Sequence, residues 1–76
     1  MINDRLQLEA LATYHSRVQG LIREGYRLVF RTEDKELICH SLVHRNGNRI
    51  FVRLNFKDGI LYQLTNGRCV SKEKVC

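Results

Sequence analysis

Three alternate residues near the middle of the chain, Arg49, Phe51 and Arg53, have types and spacing suited to binding a single-stranded nucleic acid. Alternate residues of a β-strand point to the same face of a sheet, so the ring would lie between two guanidinium groups. Guanidinium groups bind phosphates, and an aromatic ring that stacks on a base contributes about 1–3 kcal/mol. Arginines also alternate on ordinary solvated strands, where they serve solubility. The motif therefore indicates a nucleic-acid ligand only in combination with the charge and fold of the rest of the chain.

The histidines and cysteines form no catalytic or metal-binding pattern. His40 and His44 are four residues apart on a predicted strand, and about 13 Å between their Cα atoms is too far for a shared metal. Cys39 and His40 are neighbours, so they point to opposite faces and do not make a thiolate–imidazole pair. Cys39 and Cys69 are expected to be small core residues. We therefore expect no enzyme activity, no cofactor and no metal site.

The positive charge is concentrated in the second part of the chain. The 76 residues carry 13 Lys and Arg against 8 Asp and Glu, which gives a net charge of +5. Residues 1–25 sum to zero, whereas residues 26–76 hold ten basic and five acidic side chains. An excess of this kind favours polyanionic partners.

The length fits one domain, residues 1–76, with a small core. No apolar run approaches the ~20 residues that span a bilayer, and the first residues lack the apolar segment of a signal peptide. An odd number of scattered cysteines fits reduced thiols better than a disulfide framework. We expect a cytoplasmic protein without membrane contacts.

The elements that must position these residues begin with a helix, predicted over residues 4–24. Its apolar residues recur at helical spacing: Leu8, Leu11, Tyr14, Val18 and Leu21. Gly25 is suited to end the helix, because glycine readily adopts the left-handed conformation of a helix C-terminus. One apolar stripe is enough for the helix to cover one face of a sheet.

Period-two alternation then predicts an antiparallel meander over residues 26–71, followed by a loose tail over residues 72–76. The hairpin turns are marked by Asn46-Gly47, Asp58-Gly59 and Asn66-Gly67. The predicted fold is α+β, with one N-terminal helix packed on one face of a four- or five-stranded antiparallel sheet in two layers.

The register between the second and third strands depends on the Asn46-Gly47 turn. A two-residue turn places Val43 opposite Ile50 and leaves both histidines of the strand on the uncovered face. A three-residue turn would bury His40 and His44, which would then need hydrogen-bond partners. We predict the two-residue turn here and a three-residue loop, residues 57–59, at the next hairpin.

The uncovered face of the sheet is the predicted binding surface. Its candidate site residues are Arg27, Arg31, His40, Leu42, His44, Arg49, Phe51, Arg53 and Lys57. We expect this face to bind single-stranded DNA or RNA, with arginines on phosphates and Phe51 on a base.

A protein-binding module is the alternative function. Val29, Leu42 and Phe51, with Ile38 as a further candidate, would form an apolar centre with an arginine rim, and aromatic and Arg side chains are enriched at protein interfaces. The partner would be a second copy, giving a homodimer, or a host or partner protein that this chain inhibits. The small size fits an accessory regulator of a phage or mobile element.

Overall fold

One helix precedes five antiparallel strands that form a single open sheet. The structure is a computed structural model that describes residues 4–75, with side chains from residue 8 onward. The elements are α1 (Asp4–Arg23), β1 (Tyr26–Glu33), β2 (Leu37–His44), β3 (Arg49–Asn55), β4 (Ile60–Thr65) and β5 (Arg68–Lys74). Every strand pairs with its neighbours in sequence, in the order β1-β2-β3-β4-β5. The predicted α+β class and the two-layer arrangement are confirmed.

The last strand is longer than predicted. β5 continues to Lys74, whereas the sheet was predicted to end at residue 71. The backbone N–H of Val75 donates to the carbonyl of Gly59 at 2.8 Å, and Val75 packs against the core. The prediction of a loose tail was therefore wrong for residues 72–75, and Cys76 lies outside the described residues.

Helix α1 packs on the sheet through one stripe of residues. The stripe consists of Ala10, Tyr14, Val18 and Leu21, each at most 6% exposed. Leu8, predicted in the stripe, is instead exposed. Gly25 follows the helix with a φ of 103°, and a Cβ there would lie 2.9 Å from Nε2 of His44. Both the backbone conformation and the lack of space therefore require glycine at this helix end.

The core lies between α1 and one face of the sheet. The strands contribute Ile38, Leu42, Ile50, Val52, Leu54 and Leu61, all buried. Each member of this set points toward the helix, so the opposite face of the sheet has no covering layer in the described part of the chain. Leu42, predicted on the uncovered face, is in the core.

The register of β2 and β3 differs by one residue from the prediction. The N–H of Gly47 donates to the carbonyl of His44 at 2.8 Å, and residues 45–47 form a three-residue loop. His40 is therefore opposite Val52 and faces the helix. The predicted two-residue turn was wrong, because a buried partner for His40 exists that the sequence pattern does not reveal.

That partner is the hydroxyl of Tyr14 on helix α1. It donates to the carbonyl oxygen of Val52 at 2.9 Å. Its oxygen lies 2.8 Å from Nδ1 of His40. A carbonyl oxygen only accepts, so the hydroxyl proton is committed to Val52 and the Nδ1–H of His40 donates to the hydroxyl oxygen. Two strands and the helix are thus joined by one buried hydroxyl.

The β3–β4 hairpin also departs from the prediction. Asn55 pairs with Ile60, so residues 56–59 form a four-residue loop rather than a three-residue one. Leu61 then lies opposite Leu54 in the core, and Tyr62 takes the opposite face. The contact between Leu54 and Leu61 therefore lies on the helix side, and the polar hydroxyl of Tyr62 lies on the face without a covering layer.

A bulge in β1 exchanges the faces of its second half. Leu28 pairs with Leu42 and Phe30 pairs with Ser41, so Val29 is the extra residue. Phe30 consequently lies on the uncovered face, whereas Arg31 lies opposite His40 on the helix side. The prediction that Arg31 lies on the uncovered face was wrong, because strict alternation does not anticipate a bulge.

Acid should destabilise the protein through His40. Burial, followed by the charges of Arg31 and His15, lowers the pKa of the His40 imidazole, while Glu33 opposes the shift. The unfolded chain therefore takes up a proton near pH 6.5 that the folded chain resists. Above that pH, His40 should make no contribution to the pH dependence of the free energy of unfolding. Below it, protonation of His40 should lower the free energy of unfolding by up to about 1.4 kcal/mol per pH unit.

Urea denaturation at neutral pH and near pH 5, for the native chain and for His40→Gln, checks this expectation. The variant should be less stable at neutral pH and should lose less stability on acidification. An equal acid loss in both proteins would show that His40 takes up its proton as readily in the folded chain as in the unfolded one.

Candidate functional site

The candidate site is the open face, defined as the face of the sheet opposite helix α1. Strand register orders its side chains into rows that cross the strands. The aromatic row consists of Phe30, Ser41, Phe51, Leu64 and Cys69, and the tyrosine row consists of Thr32, Cys39, Arg53, Tyr62 and Lys72. The two rows are adjacent, so apolar and cationic groups lie side by side across the middle of the sheet.

All members of the aromatic row except Cys69 line a groove of about 440 Å³. The groove is lined by Val29, Phe30, Ser41, Val43, Arg49, Phe51, Leu64 and Gly67, together with parts of Leu42 and Ile50. Phe30 is 58% exposed and Val29 is 52% exposed, whereas Phe51 is half-buried. Apolar walls with a guanidinium group at the margin suit a flat, partly polar ligand group.

The tyrosine row holds its cations against an aromatic ring. The guanidinium carbon of Arg53 lies 4.8 Å from the ring centroid of Tyr62, and Nζ of Lys72 lies 5.8 Å from it. Both distances are within the range of cation–π interactions. Nε of Arg53 and Oδ1 of Asn55 are buried without a hydrogen-bond partner in the described part of the chain. Cys39, beside Arg53, is buried, and burial raises the pKa of its thiol.

The open face carries positive charge alone. Its basic side chains are Arg27, Arg49, Arg53, Lys72 and Lys74. None of the strand residues described on this face is acidic. The carboxylates of Glu33 and Glu73 lie on the helix side, where they pair with Arg31 and Arg17 respectively. The sheet thus separates a paired, mixed-charge side from an unpaired, cationic one.

The structure brings four of the predicted site residues together and separates the others. Arg27, Arg49, Phe51 and Arg53 share the open face. The remaining five are elsewhere: His40 and Leu42 in the core, His44 and Arg31 on the helix side, and Lys57 in the β3–β4 turn. The ring of His44 packs edge-on against Tyr26, with the centroids 5.0 Å apart.

Sequence reasoning missed several side chains of this face. They are Phe30, Tyr62, Leu64 and Lys72. Leu64 and Tyr62 follow from the alternation of β4 once the preceding loop is given four residues, so turn length was the missing information. Phe30 depends on the bulge at Val29, for which the sequence gives no signal. Cys69, expected in the core, is exposed.

Asn66 joins the β4–β5 turn to the start of β3 through two hydrogen bonds. Its backbone N–H donates to the carbonyl of Arg49 at 2.8 Å, and its Oδ1 accepts the N–H of Arg49 at 2.9 Å. Its φ of 51° is in the left-handed region, which asparagine tolerates better than most residues. The neighbouring turns therefore meet at Arg49, which fixes the backbone of that arginine at the margin of the groove.

Comparisons of the chain with protein-family models, with curated proteins and with solved structures gave no match. Among the side chains of residues 8–75, no three His, Cys, Asp or Glu residues cluster in a way that could hold a metal ion. The one helix described is not long and apolar enough to cross a membrane. The geometry and charge of the open face are therefore the basis for a functional proposal.

Substitution of Asn66 should separate the contribution of its Oδ1 hydrogen bond from that of its left-handed backbone conformation. Asn66→Gly keeps the backbone conformation and removes the Oδ1 acceptor, which should lower the free energy of unfolding by about 1 kcal/mol. Asn66→Ala should cost about 1 kcal/mol more, because alanine is strained at this φ. Urea denaturation of both variants checks this. Equal stability of the two variants would contradict a strained conformation at residue 66.

Proposed function

We propose that the protein binds single-stranded nucleic acid on the open face of its sheet. The observation that carries this proposal is the combination of five basic side chains, no carboxylate and three aromatic rings on one strand surface. The rings belong to Phe30, Phe51 and Tyr62. Phosphates need cations that are not already paired, and bases need flat apolar surfaces.

The electrostatic part of the proposal rests on the absence of carboxylates among the described strand residues of the open face. Among the side chains of residues 8–75, ion pairs engage only Arg17 and Arg31 of the basic residues, both on the helix side. Arg27 and Arg49 are exposed and without a carboxylate partner in the described part of the chain. Binding a phosphate would therefore break no ion pair at these positions, and each contact would release counterions from the nucleic acid.

The stacking part of the proposal rests on Phe51. Its half-buried ring is held between Ser41 on β2 and Leu64 on β4, and it lines the groove with the more exposed Phe30. A ring fixed by its neighbours loses little conformational entropy when a base stacks on it. Bases in a duplex are stacked on each other and inaccessible to such a surface, which favours single strands.

A protein partner in the same groove is the second candidate, favoured by the exposure of Val29 and Phe30 on the edge strand β1. An apolar groove beside an edge strand suits an extended peptide. Pairing of two copies through their open faces is disfavoured, because each face brings cations and no carboxylate to the contact. The partner would therefore be a different, acidic protein.

Phe51→Leu distinguishes these candidates. Leucine keeps the position apolar and removes the flat ring, so nucleic-acid affinity should fall about tenfold through lost stacking, whereas an apolar contact with a protein would be largely retained. Fluorescence anisotropy of a labelled single-stranded oligonucleotide measures the change.

The matched control is Phe56→Leu, the same substitution in the β3–β4 turn, where Phe56 packs against the core. This variant should bind the oligonucleotide as the native chain does. If the two variants bind equally well, Phe51 is not a stacking surface and the proposed function loses its principal support.

A further inference from the structure

The charges of the sheet are also separated along the strand direction. The β2–β3 and β4–β5 turns lie at one end of the sheet, and the residues in or next to them include Arg45, Arg49 and Arg68 but no carboxylate. We call this the arginine end. The β1–β2 and β3–β4 turns lie at the opposite end, over residues 34–36 and 56–59. They carry three carboxylates and two lysines.

The arginine end is a connected structural unit rather than a set of independent loops. Asn66 joins the β4–β5 turn to both backbone groups of Arg49. Nδ2 of Asn66 also lies 3.4 Å from Oδ1 of Asn48 in the β2–β3 connection. Arg45 and Arg68, one on each side of this junction, therefore belong to turns whose relative position is fixed. The α1–β1 connection reaches the same end of the sheet, where Gly25 lies against His44, and it places both Arg27 and the acidic residue Glu24 there.

The groove lies beside this end. Arg49 and Gly67 line it, and both belong to or adjoin the arginine end. On the side of the aromatic row away from the arginine end, Arg53 and Lys72 make cation–π contacts with the ring of Tyr62. Arg27, Arg45, Arg49 and Arg68 are exposed and form no ion pair among the described residues. The opposite end also has exposed cations, Lys35, Lys57 and Lys74, but three turn carboxylates accompany them, whereas the β2–β3 and β4–β5 turns contain none.

From this asymmetry we propose a path for the bound strand. Its sugar–phosphate backbone crosses the sheet perpendicular to the β-strands, along the arginine end, and its bases point inward into the groove against Phe51 and Phe30. Arg45 and Arg49, next to the Asn66 junction, bind phosphates, whereas Arg68 pairs with Thr65 on the helix side of the sheet and is not on the path. The carboxylates of the opposite end repel the backbone and set the orientation. This inference rests on the proposed function and adds the location of the phosphates to it.

Single alanine substitutions test the path by anisotropy with the same labelled oligonucleotide over a range of salt concentrations. Arg45→Ala and Arg49→Ala should each weaken binding about fivefold near 0.1 M salt and lower the salt slope by about 0.7, the effect of one phosphate contact on a single strand. The matched control is Lys35→Ala, which removes one positive charge from an exposed turn at the opposite end. It should change affinity less than twofold.

The outcomes separate this inference from the proposed function. Equal losses of affinity in the arginine variants and in Lys35→Ala would show that affinity depends on the total charge of the protein and not on the position of the charge. The inference would then fail, while stacking on Phe51 could still hold. Unchanged binding in both arginine variants would also overturn the path. A native chain that binds no single-stranded oligonucleotide would overturn the path and the proposed function together.

Discussion

The arrangement of the sheet depends on the buried hydroxyl of Tyr14. It donates to the carbonyl of Val52 and accepts from Nδ1 of His40, at 2.9 and 2.8 Å. These hydrogen bonds allow an imidazole to face the core, where it would otherwise carry a large desolvation cost. Once His40 faces inward, Ser41 and Phe51 must face outward, because neighbours on a strand alternate. The interaction that stabilises the interior therefore also determines the open face.

The sequence predicted the order of elements, the helix, the antiparallel meander and the positions of its turns. It did not predict the registers. The three-residue loop at Asn46-Gly47 was disfavoured because it buries His40, and the compensating partner lies 26 residues away on another element. Long-range hydrogen bonds of this kind leave no local pattern in a sequence. The bulge at Val29 similarly reflects pairing with β2 rather than a property of the residues around it.

The candidate site was predictable where it did not depend on register. Arg49, Phe51 and Arg53 belong to a strand whose alternation is unambiguous, and they lie on the open face as expected. With one helix, only one face of the sheet can be covered, so a surface of alternating cations and apolar groups remains open. The structure adds that carboxylates are confined to the helix side and the turns. This separation localises the basic charge on one surface, which supports the proposed binding of a polyanion with flat, apolar groups.

The most direct test of this account is the affinity of the native chain for a labelled single strand compared with the duplex of the same sequence. Anisotropy titrations at low and near-physiological salt measure it. The account predicts tighter binding of the single strand at both salt concentrations, because stacking on the open face does not depend on salt. Binding that is equal for both probes and disappears at the higher salt would contradict it, since general attraction between a basic protein and a polyanion would explain that result.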